Sequence, residues 1–325
     1  MLKFTRRTIM AAVAATAMIA PAMAQDLPKK GDDVTFYCVY SPGGPTDTAT
    51  RIVAEAISKA TGINIQVVNK PGGSTLVGVY EMVRSKPDGR TLVATSSSTT
   101  TINYLNPERQ AQFGREDFQP VALLARDPQF IYTPADGRFD TLKDLIQAAV
   151  DEPGSVTWGI NAPLVPTHVM ALFIEDATGA RFTFVPFSGG AETTVALAGG
   201  QIDVAGSSGL VGRPFVEDGR LRVLAAVDEG EQDLFPDVKS AVDQGFQARA
   251  RSYYGLLAPA GVDREILQFW NEQVDAALAT EEVQERLANA TLIPTPMTLE
   301  EYEQHWDEAE ADSRRTLEIL AKREE

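Results

Sequence analysis

Two Pro-Gly-Gly turns constrain what this 325-residue chain can fold into. Pro42-Gly43-Gly44-Pro45-Thr46 and Pro71-Gly72-Gly73-Ser74-Thr75 stand 29 residues apart, about one βαβ unit. The flanking residues fit such a unit: β-rich runs at 34–40, 65–69 and 91–94 alternate with helical periodicity at 46–60 and 76–85. Strands and helices in that alternation predict a parallel sheet with both turns at its carboxyl edge. A glycine pair lets backbone come close to a ligand, and the Pro or Ser/Thr after it opens a helix whose first amides lack internal partners. Two such starts side by side would grip an anion through N–H donors and dipole ends, with no fixed cation. The same residues would equally serve to reverse the chain.

A second alternation follows. Residues 120–126 and 129–133 read as extended, then come helix 142–149, strand 155–159, helix 167–178, strand 182–186, helix 191–197, strand 201–205, a short helix at 210–217 and strand 221–227. An apolar strand at 252–259 leads into helices that run to the end, the last opened by Thr298 and Glu301 at capping-box spacing. The expected fold is α/β with two domains, each a mainly parallel sheet flanked by helices. Domain I takes residues 33–126 plus 253–325 and domain II residues 127–252, with the chain crossing near 126–128 and 250–253.

Charge and the rare residues exclude several functions. With 29 Lys and Arg against 45 Asp and Glu, the formal charge of −16 argues against nucleic acid, which is held by clustered cations. The lone Cys38 permits no internal disulfide, and two histidines without Cys partners make no zinc cage, although a carboxylate-only Ca or Mg site stays open. No cofactor is expected, since there is no Walker motif and no G-x-G-x-x-G after a strand. Residues 1–24 carry Lys3, Arg6 and Arg7, an apolar run over 9–22 and Ala22-Met23-Ala24, the pattern of a secretory signal peptide. The run falls short of the about 20 residues a bilayer span needs. Its removal takes the charge from −16 to −19. A soluble periplasmic protein is expected, exported by the Sec or the twin-arginine route.

Other polar groups cluster at predicted strand ends. Ser96 and Ser97 belong to a row of hydroxyls over 95–101, suited to a carboxylate or a bridging water if it is not simply a solvated loop. Asn161 and Thr167 flank Ala162-Pro163-Leu164-Val165-Pro166, while Ser188 and Ser207 follow later strands; helix capping would explain them too. His168 reads as a partly buried helix residue and His305 as a solvated one among acids. The segment Ala205-Gly206-Ser207-Ser208-Gly209 looks like a relaxed nucleophile elbow, but the single downstream base is His305, on a helix expected to be distant. A Ser hydrolase is therefore an alternative and not the expectation.

Six segments in order carry a resemblance: Ser41-Pro42-Gly43-Gly44-Pro45-Thr46-Asp47, Asn69-Lys70-Pro71-Gly72-Gly73, Lys86-Pro87-Asp88-Gly89-Arg90-Thr91-Leu92, Val185-Pro186-Phe187-Ser188-Gly189-Gly190-Ala191, Gly199-Gly200-Gln201-Ile202-Asp203-Val204 and Tyr254-Gly255-Leu256-Leu257-Ala258-Pro259-Ala260-Gly261. With them the mature chain resembles the extracytoplasmic solute receptors of the tripartite tricarboxylate transporter family, the Bug-type receptors. The resemblance implies a periplasmic-binding-protein clamshell of type II, without catalysis, that passes a small organic carboxylate to a membrane permease. A non-transport sensor is the other reading of such a receptor, and a monomer is expected. By the same resemblance the ligand carboxylate meets the first two βα loops, which places Ser41, Gly44, Thr46, Asp47, Gly73, Ser74 and Thr75 at it, with Ser96 and Ser97 beside them. Domain II would contribute Asn161, Thr167, Ser188 and Ser207, Tyr253 or Tyr254 would close over the ligand, and Asp203, which would equally serve as a helix or strand cap, matches a position near the cleft where some amino-acid-binding members meet an ammonium group. The chain departs from the family at 161–169, where Ala162, Pro163, Leu164 and Val165 predict an apolar wall. The domain II loops carry no Arg or Lys, so an apolar or aromatic body bearing one or two carboxylates is expected over citrate.

Overall fold

The strands sort into two sheets. The structure is a computed structural model that describes residues 26–227, 234–248, 250 and 252–324, so the leader read at 1–24 lies outside the described residues. In the first sheet β1 (Asp33–Cys38), β2 (Asn64–Asn69), β3 (Thr91–Ser96) and β4 (Phe118–Arg126) run one way in the order β2-β1-β3, then β4. Antiparallel β10 (Tyr253–Pro259) is inserted between β3 and β4, and the short β11 (Ile293–Pro294) lies on the outer edge. In the second sheet β7 (Phe182–Pro186), β6 (Val156–Ile160), β8 (Val204–Ser208) and β9 (Leu221–Ala226) share a direction, with β5 (Gln129–Pro134) antiparallel between β8 and β9.

Both halves therefore repeat one plan. Three parallel strands with the first in the middle are followed by an antiparallel visitor and then a fourth parallel strand. In each sheet the visitor is the first strand laid down after the chain arrives from the other half. The two crossings are tied together where Asp127 N donates to Ser252 O at 2.8 Å.

Helix α1 (Pro45–Thr61) shows how the local sequence supports this plan. Pro45 occupies the first turn, where its missing N–H costs nothing, and Gly62 ends the helix at φ 74° with its N–H on Ser58 O (2.9 Å). Ala49, Ile52, Val53 and Ile57 recur at helical spacing and are buried against the sheet with Phe36, Leu92 and Trp270. The second half has its own core around Trp158, Phe182, Ile131 and Leu145.

Two elements differ from expectation. The hydroxyl row is no solvated loop: β3 runs to Ser96 and α3 (Ser97–Leu105) follows at once, with Thr95, Ser96, Ser97, Thr99, Thr100 and Thr101 all buried. The long helix α10 (Leu299–Glu324) buries His305, 5 % exposed, against Tyr253 (ring centroids 4.6 Å apart) and bonds its Nε2 to Ser97 Oγ at 3.0 Å. Polar pairing makes this burial tolerable, as Thr101 Oγ1 meets Ser313 Oγ at 2.6 Å and Tyr104 donates to Glu310 (2.5 Å). Further along, α10 leaves the first half and packs on α5 (Pro166–Thr178) of the second. There Arg323 Nε donates to the buried Glu175 Oε2 (2.7 Å), Arg323 Nη2 to Phe182 O (2.9 Å), and Arg315 pairs with Asp176.

Candidate functional site

The two Pro-Gly-Gly turns leave the first sheet side by side. β1 and β2 are in parallel register with Cys38 opposite Asn69, and Lys70 N donates to Cys38 O at 2.7 Å. Asp47 locks the turns to each other. Its carboxylate accepts from Gly43 N (2.9 Å), Arg51 Nε (3.0 Å) and Asn69 Nδ2 (2.7 Å), and Asn69 also donates to Tyr40 O (2.9 Å). Burial pushes the Asp47 carboxyl up, but the Arg51, Gly43 and Asn69 hydrogen bonds outweigh it and hold the group below its usual range. Asp47 therefore ties the two turns together through both carboxylate oxygens.

The first turn behaves as the sequence predicts. Gly43 takes φ 83°, Ser41 and Gly43 are exposed, and the amides of Thr46 and Asp47 precede the first helical bond, Thr48 N to Gly44 O at 2.9 Å. The second turn departs from a plain helix start. Gly72, Gly73, Ser74 and Thr75 take φ of 133°, 56°, 56° and 86° in succession, and α2 (Leu76–Val83) begins after them. Leu76 N returns to Gly73 O and Val77 N to Gly72 O (3.4 Å), so loop carbonyls consume the leading amides of α2. The donors left over are the N–H groups of Gly73 and Ser74, which no group among the described residues accepts. A left-handed Ser followed by a left-handed, β-branched Thr costs about 1–3 kcal/mol at each residue, and such strain persists where surroundings enforce it.

Asn103 on α3 bonds directly to this stretch. It is 1 % exposed and its Nδ2 donates both to Ser74 O and to Thr75 Oγ1 (2.9 Å). Sequence reasoning passed over Asn103 because it ends a run of hydroxyls. Its signal was the recurrence Ser96, Thr99 or Thr100, Asn103 at helical spacing, which puts it on the face that starts at the strand end. The hydroxyls between them mostly seal the fold: Thr95 pairs with Thr100 (2.8 Å), Ser96 with Ser98 (3.1 Å), and Ser97 is committed to His305.

At the corresponding edge of the second sheet a neutral polar patch forms. Asn161 Oδ1 accepts from Thr193 Oγ1 (2.9 Å), Asn161 N donates to Thr167 Oγ1 (3.5 Å), and Thr194 pairs with Ser207 (3.4 Å). Thr193 and Thr194 come from α6 (Gly190–Ala198) and were not anticipated, since neither lies beside a glycine turn in sequence. The apolar wall expected of residues 162–165 loses its largest member. Leu164, at φ 64°, turns into the seam between the halves with Ile102, Leu172 and Ile319, and its N–H donates to His168 Nδ1 (3.0 Å). Burial drives the His168 imidazole down to about 4, so it is uncharged at neutral pH. From the first half Arg109 reaches Pro163 O at 3.0 Å.

Three predicted residues are not brought to this place. Asp203 precedes β8 at the amino edge of the sheet, the far end from Ser207, and is occupied by Arg138 Nε (3.0 Å), Thr157 N (2.9 Å) and Thr157 Oγ1 (2.7 Å). Asp203 is thus held in an ion pair with Arg138 and accepts the Thr157 backbone N–H. Ser188 is exposed and its amide is taken by Glu192 Oε2 (2.9 Å). Tyr253 packs on His305, and the neighbouring Tyr254 sends its hydroxyl to Asp127 Oδ2 (2.8 Å). Ser207 and His305 hold different partners in different halves, so no elbow and base meet. Among the described residues no group of three or more His, Cys, Asp or Glu is placed to hold a metal ion, and no helix is long and apolar enough to cross a membrane.

The geometry can be set against known proteins. A family model described as "Tripartite tricarboxylate transporter family receptor" matches residues 49–322. The "UPF0065 protein in gbd 5'region" of Cupriavidus necator is 29% identical over 301 residues, covering 90% of this chain and 88% of that protein. Protein BugT of Bordetella pertussis is 26% identical over 290 residues, covering 88% of each. Among solved structures, R. palustris Rpa4515 with adipate aligns at a TM-score of 0.78 and 22% identity over 90% of this chain and 98% of that one. MatC from Rhodopseudomonas palustris with bound malate aligns at 0.74 and 22% over 89% and 99%. At that identity the two structures speak for the shared periplasmic-binding-protein fold. The family match, spanning β-strands of both sheets and all but the last two residues of α10, makes this chain a member of the tripartite tricarboxylate transporter receptor family, whose members are solute-binding proteins and not enzymes.

Proposed function

We propose that the protein serves in the periplasm as the receptor that captures a small organic carboxylate and delivers it to the membrane subunits of a tripartite transporter. One observation carries the ligand class: among the described residues the Gly73 and Ser74 N–H groups have no acceptor, and they stand beside the open first turn of α1 as donors for an anion, while the Arg51 guanidinium is engaged by Asp47 and Asn69. Net charge gives no help, since an acidic protein repels an anion at long range, so selection falls to local donors and desolvation. Rpa4515 and MatC are described with the dicarboxylates adipate and malate, which agrees with this class. On the facing side Asn161, Thr193, Thr194 and Ser207 supply neutral hydroxyls and an amide, and no Arg or Lys stands in residues 161–167, 187–190 or 207–209. A mono- or dicarboxylate with an apolar or aromatic body leaves fewer unpaired polar atoms there than a tricarboxylate.

A thermal-shift screen of aliphatic monoacids, dicarboxylates, aromatic acids and citrate tests the class. Stabilisation of several degrees by members of the first three sets is expected; a response to citrate alone would overturn the choice of ligand, and no response to any would overturn the carboxylate reading.

In this reading domain I (33–126 and 253–325) and domain II (127–252) close on the ligand about the crossings at Asp127 and Ser252, each lining half the cleft. The last turns of α10 ride on α5, so closure must carry or slide that contact. Small-angle scattering is expected to show compaction at saturating ligand, and an unchanged profile would sink the hinge.

A further inference from the structure

We propose that Asn103 is a positioning residue for the ligand carboxylate, acting through the backbone of the second Pro-Gly-Gly turn. The inference rests on the reading of that turn as the carboxylate grip. Three observations converge on Asn103. The turn runs left-handed through two non-glycine residues, Ser74 and Thr75, a shape that neither residue type prefers. Both Asn103 Nδ2 protons go to that stretch, one to Ser74 O and one to Thr75 Oγ1. Its Oδ1 is buried with no hydrogen-bond partner among the described residues, so the amide's donors are kept at the expense of an orphaned acceptor.

The consequence is geometric. Bonding the Ser74 carbonyl fixes the plane of the 74–75 peptide, and the Thr75 hydroxyl fixes the next residue. With the downstream side pinned and Leu76 N returned to Gly73 O, the turn cannot relax to right-handed φ values, and the Gly73 and Ser74 N–H groups keep their direction. Asn103 sits behind the turn and touches no ligand itself; it holds in place the donors that do.

Asn103→Leu is similar in size and removes both bonds together with the orphan oxygen. The expected result is a tenfold or greater loss of affinity for adipate or malate by calorimetry, whichever the wild-type protein binds. The Ser74 and Thr75 13Cα and 13Cβ shifts should lose their left-handed signature by NMR. Adding Ser74→Gly should recover several-fold of the affinity, because glycine takes φ 56° without help; a packing defect in the core would not be rescued from the loop. Unchanged affinity, a loss that Ser74→Gly leaves untouched, or retained left-handed shifts would each overturn the proposal. Should Asn103→Leu fail to fold, Thr75→Val breaks one of the two bonds from the loop side, and a loss below threefold would overturn it. If wild type binds neither acid, the acid that stabilises it most in the thermal-shift screen takes their place; if none stabilises it, the carboxylate reading fails while the NMR arm still decides whether Asn103 sets the turn.

Discussion

Replacing Gly73 with valine is expected to lower carboxylate affinity several hundredfold, while Ser74→Ala should cost less than about fivefold. At Gly73 φ is 56°, and an added Cβ would come within 3.2 Å of Leu76 Cβ. A β-branched residue pays about 2 kcal/mol or more to sit there. The free segment relieves that strain by turning back to right-handed values, so binding must restore it, and Gly73 and Ser74 N–H groups that realign only in part forfeit about another 1–2 kcal/mol. Ser74→Ala leaves the backbone and the Asn103 anchor intact, because Asn103 holds the Ser74 carbonyl and not its hydroxyl. The lost hydroxyl is one a water replaces. Calorimetry on the two variants settles the order, and the reverse ranking would mean that side chains, not loop backbone, bind the anion.

The parts of the fold legible in sequence are those set by local pattern. Alternating strand and helix periods announced both sheets, and the spaced Pro-Gly-Gly turns announced neighbouring loops at one edge, because those signals lie within a single βαβ unit. What escaped depends on partners far away in the chain. His305 stands among Glu303, Asp307 and Glu308, so the segment reads as solvated. Yet Tyr302, His305, Trp306, Ala309, Ser313 and Thr316 form a buried stripe at helical spacing, its hydrophobic signal diluted by polar members, of which His305 and Ser313 are satisfied by α3, 208 residues away for Ser97 and His305. The bounds of β8 escaped for a different reason. The sequence pattern puts a strand at 201–205, whereas β8 spans Val204–Ser208 and leaves Asp203 at the amino edge with Ser207 near the opposite one. Strand bounds from pattern shift by a few residues, and in a sheet with chemistry at one edge that shift changes which residues face the site. Leu164 was read as wall because apolar residues in a loop look exposed, and its burial is created by Ile102 and Ile319 of the other half.

Asp127→Asn is expected to stabilise the protein by about 2–4 kcal/mol at pH 8 and to flatten the pH dependence of stability between pH 4 and 7. Asp127 lies at the outgoing crossing, 2 % exposed, with its N–H on Ser252 O and Oδ2 accepting from Tyr254. Burial lifts the carboxyl from its ordinary 3.8 to about 7, against the smaller opposing pull of the Tyr254 and Gln129 hydrogen bonds. Between those two values the folded protein keeps a proton that the unfolded chain has released. The contribution of Asp127 is therefore fully present below about pH 4 and is lost as pH rises to about 7, at about 1.4 kcal/mol per unit. Asparagine is neutral throughout and its side-chain oxygen still accepts the Tyr254 hydroxyl, so the variant has no such loss. Carboxylates held below their usual range, Asp47 and Asp203 among them, act with the opposite sign, gaining stability as pH rises. The observable is consequently the difference between wild-type and variant urea-unfolding curves, which cancels them. That difference should be small at pH 4, grow through pH 7 and level off beyond it; parallel curves, or a variant less stable at pH 8, would show that the ionised form is accommodated at the crossing.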